Sequence, residues 1–271
     1  MAILDTHYHW DFIPSSRLRQ QFADHLKNRG YGLVAQTVQP TDFDRILSEA
    51  NHLPLASRPL LSLGFHPWYI QDPDQVASEM AAFQKGLKAT HLIGEVGLDY
   101  SPNRLKNVEM SLQKSVFKQL LQAVADQSTD SSPYLLSIHT VRSANDVLDI
   151  WTELGLADSS MVPILHRFNG TSDELTRHLR LGGYISVHPQ MFNSKKGRAY
   201  LQQIPLDRLL LESDLPEGQT DQDLAGLVDS IICSLTSTLQ TLVEVRGQEV
   251  IDHLMANQER LYNFPSQVKD I

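Results

Sequence analysis

Eight times along this chain a short apolar run gives way to a longer stretch of helical periodicity, and few folds accommodate that alternation. The apolar runs are Ala2–Leu4, Gly32–Gln36, Leu60–Gly64, His91–Gly94, Tyr134–Ile138, Val162–Leu165, Gly183–Ser186 and Arg208–Leu211. Helical segments are predicted over Asn103–Ala125, Ala144–Leu154 and Ser172–Leu181, with a closing helical region over Asp221–Val245 and Glu249–Tyr262. Thr41 is expected to cap the helix after the second run, and Gln127–Ser132 reads as a small loop before the fifth. Thr171 and Ser172, followed by Asp173 and Glu174, open the helix that Gly182 and Gly183 close. Strands alternating with helices imply a parallel sheet, either open and doubly wound or closed as a barrel.

The polar residues favour closure. His7, His9, Glu95, His139, His166 and Asp214 each fall at, or just past, the C-terminal end of a predicted strand. In a barrel these ends ring one mouth, where such folds keep their active sites, whereas the first and last strands of an open sheet do not converge. The expected fold is therefore α/β, a (β/α)8 TIM-type barrel formed by residues 1–271 as a single domain; 271 residues is an ordinary length for one.

These six side chains suggest metal chemistry. Alternate residues of a strand share a face, so His7 and His9 can chelate one divalent ion together. Glu95 lies among Gly94, Gly97 and apolar residues, and its two oxygens can bridge two cations. His139 and His166 directly follow apolar strands. Asp214 can bind a metal through one oxygen and take a proton from an attacking water through the other. Glu212 is the weaker acidic candidate beside it. Four imidazoles and two carboxylates suit two divalent ions, zinc, manganese or magnesium, with nitrogen donors favouring zinc. No lysine stands at the end of the fourth strand, so a carbamylated bridging lysine is not expected; Glu95 takes that place.

Around the expected mouth, His66 could contact a substrate phosphate, or could be a strand-end histidine held by Pro67 and Trp68. Arg142, Arg167 and Asn169 are candidate phosphate binders, the guanidinium fork matching phosphate oxygens. Asp99 and Tyr100 could orient Glu95, and Asp5 could orient a ligand histidine. His25, His52, His91, His178 and His253 read as surface or packing residues.

The motifs Asp5-Thr-His-Tyr-His9, Gly64-Phe-His-Pro67, Gly94-Glu-Val-Gly-Leu-Asp-Tyr100, Ile138-His139, Leu165-His-Arg-Phe-Asn-Gly170 and Leu211-Glu-Ser-Asp214 resemble, in order, those of the TatD family. The resemblance implies a metal-dependent barrel hydrolase, commonly a deoxyribonuclease, with His7, His9, Glu95, His139, His166 and Asp214 at its ligand positions. Two departures stand out. In His139-Thr-Val-Arg142 the arginine comes one residue later than in the family's usual His-Ser-Arg. After Asp214, Leu-Pro-Glu-Gly-Gln-Thr replaces the Arg-Asn-Glu-Pro of many relatives, which bears on substrate more than on metal.

Bulk composition narrows the substrate. A formal net charge of −9 argues against coating long nucleic acid through a basic face, so a strand end or short single strand of DNA or RNA is the expected partner. The expected reaction is phosphodiester hydrolysis by a metal-activated water with Asp214 as proton acceptor. An amidase, lactonase or esterase acting on a small molecule is the alternative, and a non-catalytic barrel the remaining one. One cysteine, Cys233, excludes an internal disulfide. The N-terminal residues show no signal-peptide pattern, and no stretch reads as a membrane span, so a cytoplasmic address, no membrane association and no obligate protein partner are expected.

Overall fold

Strand β1 (Ile3–Tyr8) opens the chain and is followed by α1 (Ser16–Asn28), β2 (Tyr31–Ala35), α2 (Pro40–Asn51), β3 (Leu60–Leu61), β4 (Leu63–Phe65) and α3 (Pro73–Gly86). Next come β5 (Leu92–Asp99), the short α4 (Pro102–Leu105), α5 (Met110–Ala125), β6 (Leu135–Val141), α6 (Ala144–Glu153), β7 (Val162–His166) and α7 (Ser172–Arg180). The chain ends with β8 (Tyr184–Val187), α8 (Lys195–Gln203), β9 (Leu209–Leu211), α9 (Leu224–Arg246) and α10 (Val250–Tyr262). This is a computed structural model, and it describes residues 2–264. Two compact units emerge. Among the described residues the first takes the chain up to Ala35, Ile46–Leu60 and the stretch from Ile185 on; the second comprises Gln36–Arg45 and Leu61–Tyr184.

In the first unit β1 neighbours β9 and the turn after it, and α10 meets both strands. β1 pairs in parallel with β2, and β8 with β9. The Thr6 hydroxyl donates to the Leu211 carbonyl at 3.1 Å, and the Asp214 amide donates to the His7 carbonyl at 3.0 Å. Helix α10 fastens the same strands at their starts. Gln258 accepts from the Leu4 amide and donates to the Ala2 carbonyl, while Asn257 donates to the carbonyls of Leu206 and Leu209. These amides replace ladder partners that a strand end lacks, which is why both are buried without penalty.

The second unit is a parallel sheet in the order β4-β5-β6-β7, its ladders joining Leu63 to Ile93, Leu92 to Leu135 and Leu135 to Val162. Helices α3, α5 and α6 cover it with Phe83, Phe117, Leu120, Leu121, Val147 and Trp151, all buried. Parallel strands buried on both faces read as continuous apolar runs, which is what the sequence showed.

The predicted strands end too early where the chemistry begins. β1, β5, β6 and β7 continue through His7, Glu95, His139 and His166, since the ladder pairs Gly97 with His139 and Leu98 with Thr140 regardless of side-chain polarity. The third run divides at Ser62, whose carbonyl accepts from the Thr37 hydroxyl. Thr41 is not a cap. It lies inside α2, and its amide and hydroxyl both donate to the buried Glu79 carboxylate on α3. The predicted helix over 103–125 breaks into α4 and α5 because Glu109 adopts an extended conformation. Ser172–Arg180 starts as anticipated, with a full capping box between Thr171 and Glu174. The expectation of no membrane-length stretch needs correcting. By length and composition α9 is apolar enough to cross a membrane. Its stripe Leu227, Val228, Ile231, Leu235, Leu239 and Leu242 is buried inside the first unit.

Candidate metal centre

His7, His9 and Asp214 come together in the first unit. Asp214 Oδ1 lies 3.5 Å from His7 Nε2 and 3.4 Å from His9 Nε2. Two strands and the turn after them fix this spacing: the His9 amide donates to the Leu215 carbonyl at 2.8 Å, beside the Asp214 to His7 bond already described. Asp214 has φ 56°, a left-handed conformation that aspartate tolerates better than most residues. Asp5 does not orient a histidine ring. Its carboxylate accepts from the backbone amides of His7 (3.0 Å) and Ser213 (3.1 Å) and from the Ser213 hydroxyl (2.5 Å), so it clamps the two backbones that carry the ligand candidates. Complete burial outweighs those bonds and pushes the Asp5 carboxyl up to about 7. Glu212 is fully buried in the same unit, with its amide on the Val187 carbonyl.

Glu95, His139 and His166 come together in the second unit. The Glu95 amide donates to the Thr37 carbonyl at 2.9 Å, an approach that Gly64 leaves open, since a Cβ there would sit 1.9 Å from that oxygen. A Cβ on Gly97, at φ 142°, would sit 2.2 Å from the His139 carbonyl oxygen. Glu95 Oε1 then faces three imidazoles: His139 Nδ1 at 2.7 Å, His166 Nε2 at 2.8 Å and His66 Nε2 at 3.2 Å.

His139 and His66 are held differently. The Nε2 of His139 meets Asp99 Oδ2 at 2.9 Å, so this ring lies between two carboxylates. Burial opposes its charge, but the bonds and charges of Asp99 and Glu95 prevail and push it up to about 9. Asp99 is itself buried, yet bonds from His139, Ser101 and Trp68 hold its carboxyl well below the usual range. Asp99 thus orients His139 rather than Glu95, and Tyr100 donates to Asp146 instead. His66 Nδ1 accepts from the Trp68 amide at 3.0 Å, which leaves the proton of the neutral ring on Nε2. His66 therefore presents a hydrogen-bond donor toward Glu95, not a lone pair. It is close enough to count among a metal-sized group with Glu95 and His139, but its tautomer suits an oxygen of substrate or carboxylate better.

Part of the donor set passes a simple test for a zinc-sized ion. Ligands about 2.0–2.1 Å from a tetrahedral ion lie roughly 3.3–3.4 Å from one another. Asp214 Oδ1 stands 3.4 and 3.5 Å from its two imidazoles, and His139 Nδ1 stands 3.4 Å from His166 Nε2. That spacing of imidazole and carboxylate donors suits a borderline divalent cation at Asp214, whereas Glu95 Oε1, 2.7 and 2.8 Å from His139 Nδ1 and His166 Nε2, stands at hydrogen-bond distance from its imidazoles.

Of the proposed substrate contacts, Arg142 and Arg167 directly follow β6 and β7, with φ 58° and 45°. Such left-handed conformations cost about 1–3 kcal/mol each in a long side-chain residue and cluster at functional sites. Arg142 and Asn169 are exposed and Arg167 half-buried. His178 is a packing residue, buried with Nε2 on the Tyr184 carbonyl, while His25, His52, His91 and His253 are exposed. Sequence reasoning passed over His188, which is buried after β8 with Nδ1 accepting from the Gln190 amide. The signal was available: it too is a histidine just past an apolar strand.

Sequence and structure comparisons identify relatives of this chain. An uncharacterized metal-dependent hydrolase of Escherichia coli, YjjV, is 25% identical over 276 residues, covering 97% of this chain and 98% of that one. A 3'-5' ssDNA/RNA exonuclease TatD of Dickeya dadantii is 30% identical over 156 residues, covering 56% of this chain and 55% of the other. The crystal structure of Escherichia coli YjjV, a TatD homologue, superposes with a TM-score of 0.75 at 21% identity, covering 97% of this chain and 98% of that one. That likeness makes the fold α/β, a (β/α)8 barrel. A sequence profile described as TatD related DNase matches residues 4–263, and the chain belongs to that family.

Proposed function

We propose that this chain is a divalent-metal-dependent phosphodiesterase, a deoxyribonuclease acting on single-stranded DNA or on strand ends, RNA included, with residues 1–271 working as one hydrolase domain. In this reading His7, His9 and Asp214 would hold one divalent ion, and Glu95, His139 and His166 would hold another. The observation that carries it is the spacing of Asp214 Oδ1 from His7 and His9, 3.5 and 3.4 Å, which matches the edge of a metal polyhedron. Family membership and the exonuclease named among the relatives support the substrate class.

When bound, the ions supply a hydroxide near neutral pH and offset charge on the phosphate oxygens. The chain's own side chains supply the rest. Asp214 Oδ2 takes the proton from the attacking water, while Oδ1 stays directed at the two imidazoles. Asp5 keeps the His7 and Ser213 backbones in register, so that this carboxylate and those rings hold their spacing. Asp99 fixes the His139 ring through Nε2 and thereby aims Nδ1. His66 Nε2–H, Arg142, Arg167 and Asn169 donate to substrate oxygens. Cys233 is free and exposed, which is compatible with a reducing cytoplasm, the compartment we infer.

The test is cleavage of short single-stranded DNA and RNA with manganese, zinc or magnesium supplied, beside a panel of cyclic amides, lactones and carboxylic esters. Nucleic acid cleavage that disappears in His166→Ala and Asp214→Ala establishes the reading. Turnover of the small-molecule panel alone overturns it in favour of an amidase, lactonase or esterase.

A further inference from the structure

Trp68 is the aromatic side chain that the site leaves uncovered. Among the described residues the large hydrophobic side chains that stand exposed are Leu55, Trp68 and Met110, and Trp68 is 49% exposed. The other two tryptophans, Trp10 and Trp151, are each 1% exposed. An exposed indole ordinarily swings between rotamers. This one is fixed, because its Nε1–H donates to Asp99 Oδ2 at 2.8 Å, the same oxygen that receives His139 Nε2 at 2.9 Å.

The backbone beneath it is equally constrained. Trp68 lies in a short 3-10 turn, Pro67–Tyr69, begun by His66 and opened by a proline. Its amide donates to His66 Nδ1, the Tyr69 amide donates to the His66 carbonyl at 2.9 Å, and the Arg104 guanidinium donates to the Ile70 carbonyl. The ring is thus three hydrogen bonds from the Glu95 carboxylate, through Asp99 and His139.

We propose that Trp68 is a stacking platform for a nucleobase of the substrate, holding the nucleotide whose phosphate is presented beside Glu95 and His139. This deepens the nuclease reading and rests on it. Charge gives an independent reason to expect such a platform. With a net charge of −9 the chain has little general attraction for a polyanion, so grip on a single strand must come from a term that charge does not control. Base stacking on an aromatic face is such a term, and it tolerates any sequence because every base has a π face. It also favours single strands, whose bases are free to turn outward, over duplex. Anchoring the indole on Asp99 means that the base and the phosphate are registered against one rigid group, which is what positions a scissile bond.

The experiment compares Trp68→Ala and Trp68→Phe with the unchanged protein on oligothymidine and on the same strand carrying abasic residues at its 3' end. Trp68→Ala should raise KM for oligothymidine about ten-fold or more with kcat little altered, and Trp68→Phe, which restores a ring, should recover most of that loss. On the abasic strand the three proteins should converge. A KM unchanged in Trp68→Ala, or an equal loss on both strands, overturns the platform while leaving the nuclease reading intact. Binding gives a readout free of turnover. A phosphorothioate oligothymidine added with manganese should quench tryptophan fluorescence, and the quench should vanish in Trp68→Phe, where the remaining Trp10 and Trp151 are buried. Failure of the unchanged protein to cleave any nucleic acid rejects the nuclease reading; the absence of a Trp68-dependent quench rejects the platform whatever the cleavage assay shows.

Discussion

Asp5 and Ser213, 208 residues apart, are joined by two hydrogen bonds, from the Ser213 amide to Oδ1 and from its hydroxyl to Oδ2. Together with the His7 amide on Oδ1, they make one buried carboxylate the tie between β1 and the turn that carries Asp214. Removing it leaves three donors without their acceptor. Asp5→Ala should therefore lower stability by about 2–4 kcal/mol, three bonds at roughly 0.5–1.5 kcal/mol each to a carboxyl that burial leaves only partly ionised near neutral pH. Asp5→Asn, which keeps one acceptor oxygen, should lose less. Urea unfolding midpoints at constant slope would decide it; equal losses for the two variants would argue against the clamp.

Asp99 serves His139 and Trp68 at once. Asp99→Asn keeps the volume but removes the charge that holds the imidazole through Nε2, so metal affinity should weaken by about 10–100-fold with little change in unfolding midpoint. Titration with zinc or manganese, followed by competition against a chelator, measures this directly. Unaltered affinity would mean that His139 is aimed by Glu95 alone.

Asp214 has two tasks in the proposed chemistry, and they separate experimentally. Dialysis against a chelator should abolish hydrolysis, and added manganese or zinc should restore it. In Asp214→Asn the metal should no longer restore turnover, kcat remaining about 10²–10⁴-fold lower, the usual size of a lost general base. Activity that survives chelation in the unchanged protein would remove the metal from the mechanism.

His178 gives a pH dependence separate from the candidate ligands. Burial pushes its pKa down to about 4, against an ordinary 6.5, although its bond to the Tyr184 carbonyl works the other way. On acidification the unfolded chain takes up this proton first, so stability falls as pH drops from about 6.5 to about 4 and levels below that, by up to about 3 kcal/mol. His178→Gln should flatten the slope in that window. Gly183→Ala should also destabilise the same spot, because its Cβ would lie 2.1 Å from the imidazole Cε1. Overpacking of this kind costs about 1–3 kcal/mol, readable as a lower melting temperature.

The sequence by itself determined the alternation of strands and helices, because side-chain periodicity is a local property that burial makes visible. It also determined the ligand candidates, since each of the six stands at the end of an apolar run, where a parallel sheet presents polar groups. What it could not place was decided by contacts between residues distant in the chain. Strand ends were misplaced because β5 and β6 go on pairing through Gly97 with His139 and Leu98 with Thr140, and a ladder is held by backbone groups that no hydropathy pattern reports. The part played by Asp5 was misread because its partner lies 208 positions away. His66 was ambiguous until the Trp68 amide fixed its tautomer, and Trp68 itself stood in the sequence as one aromatic among twenty. Hydrogen-bond partners across strands are a property of tertiary packing, and those partners assign each polar group its task.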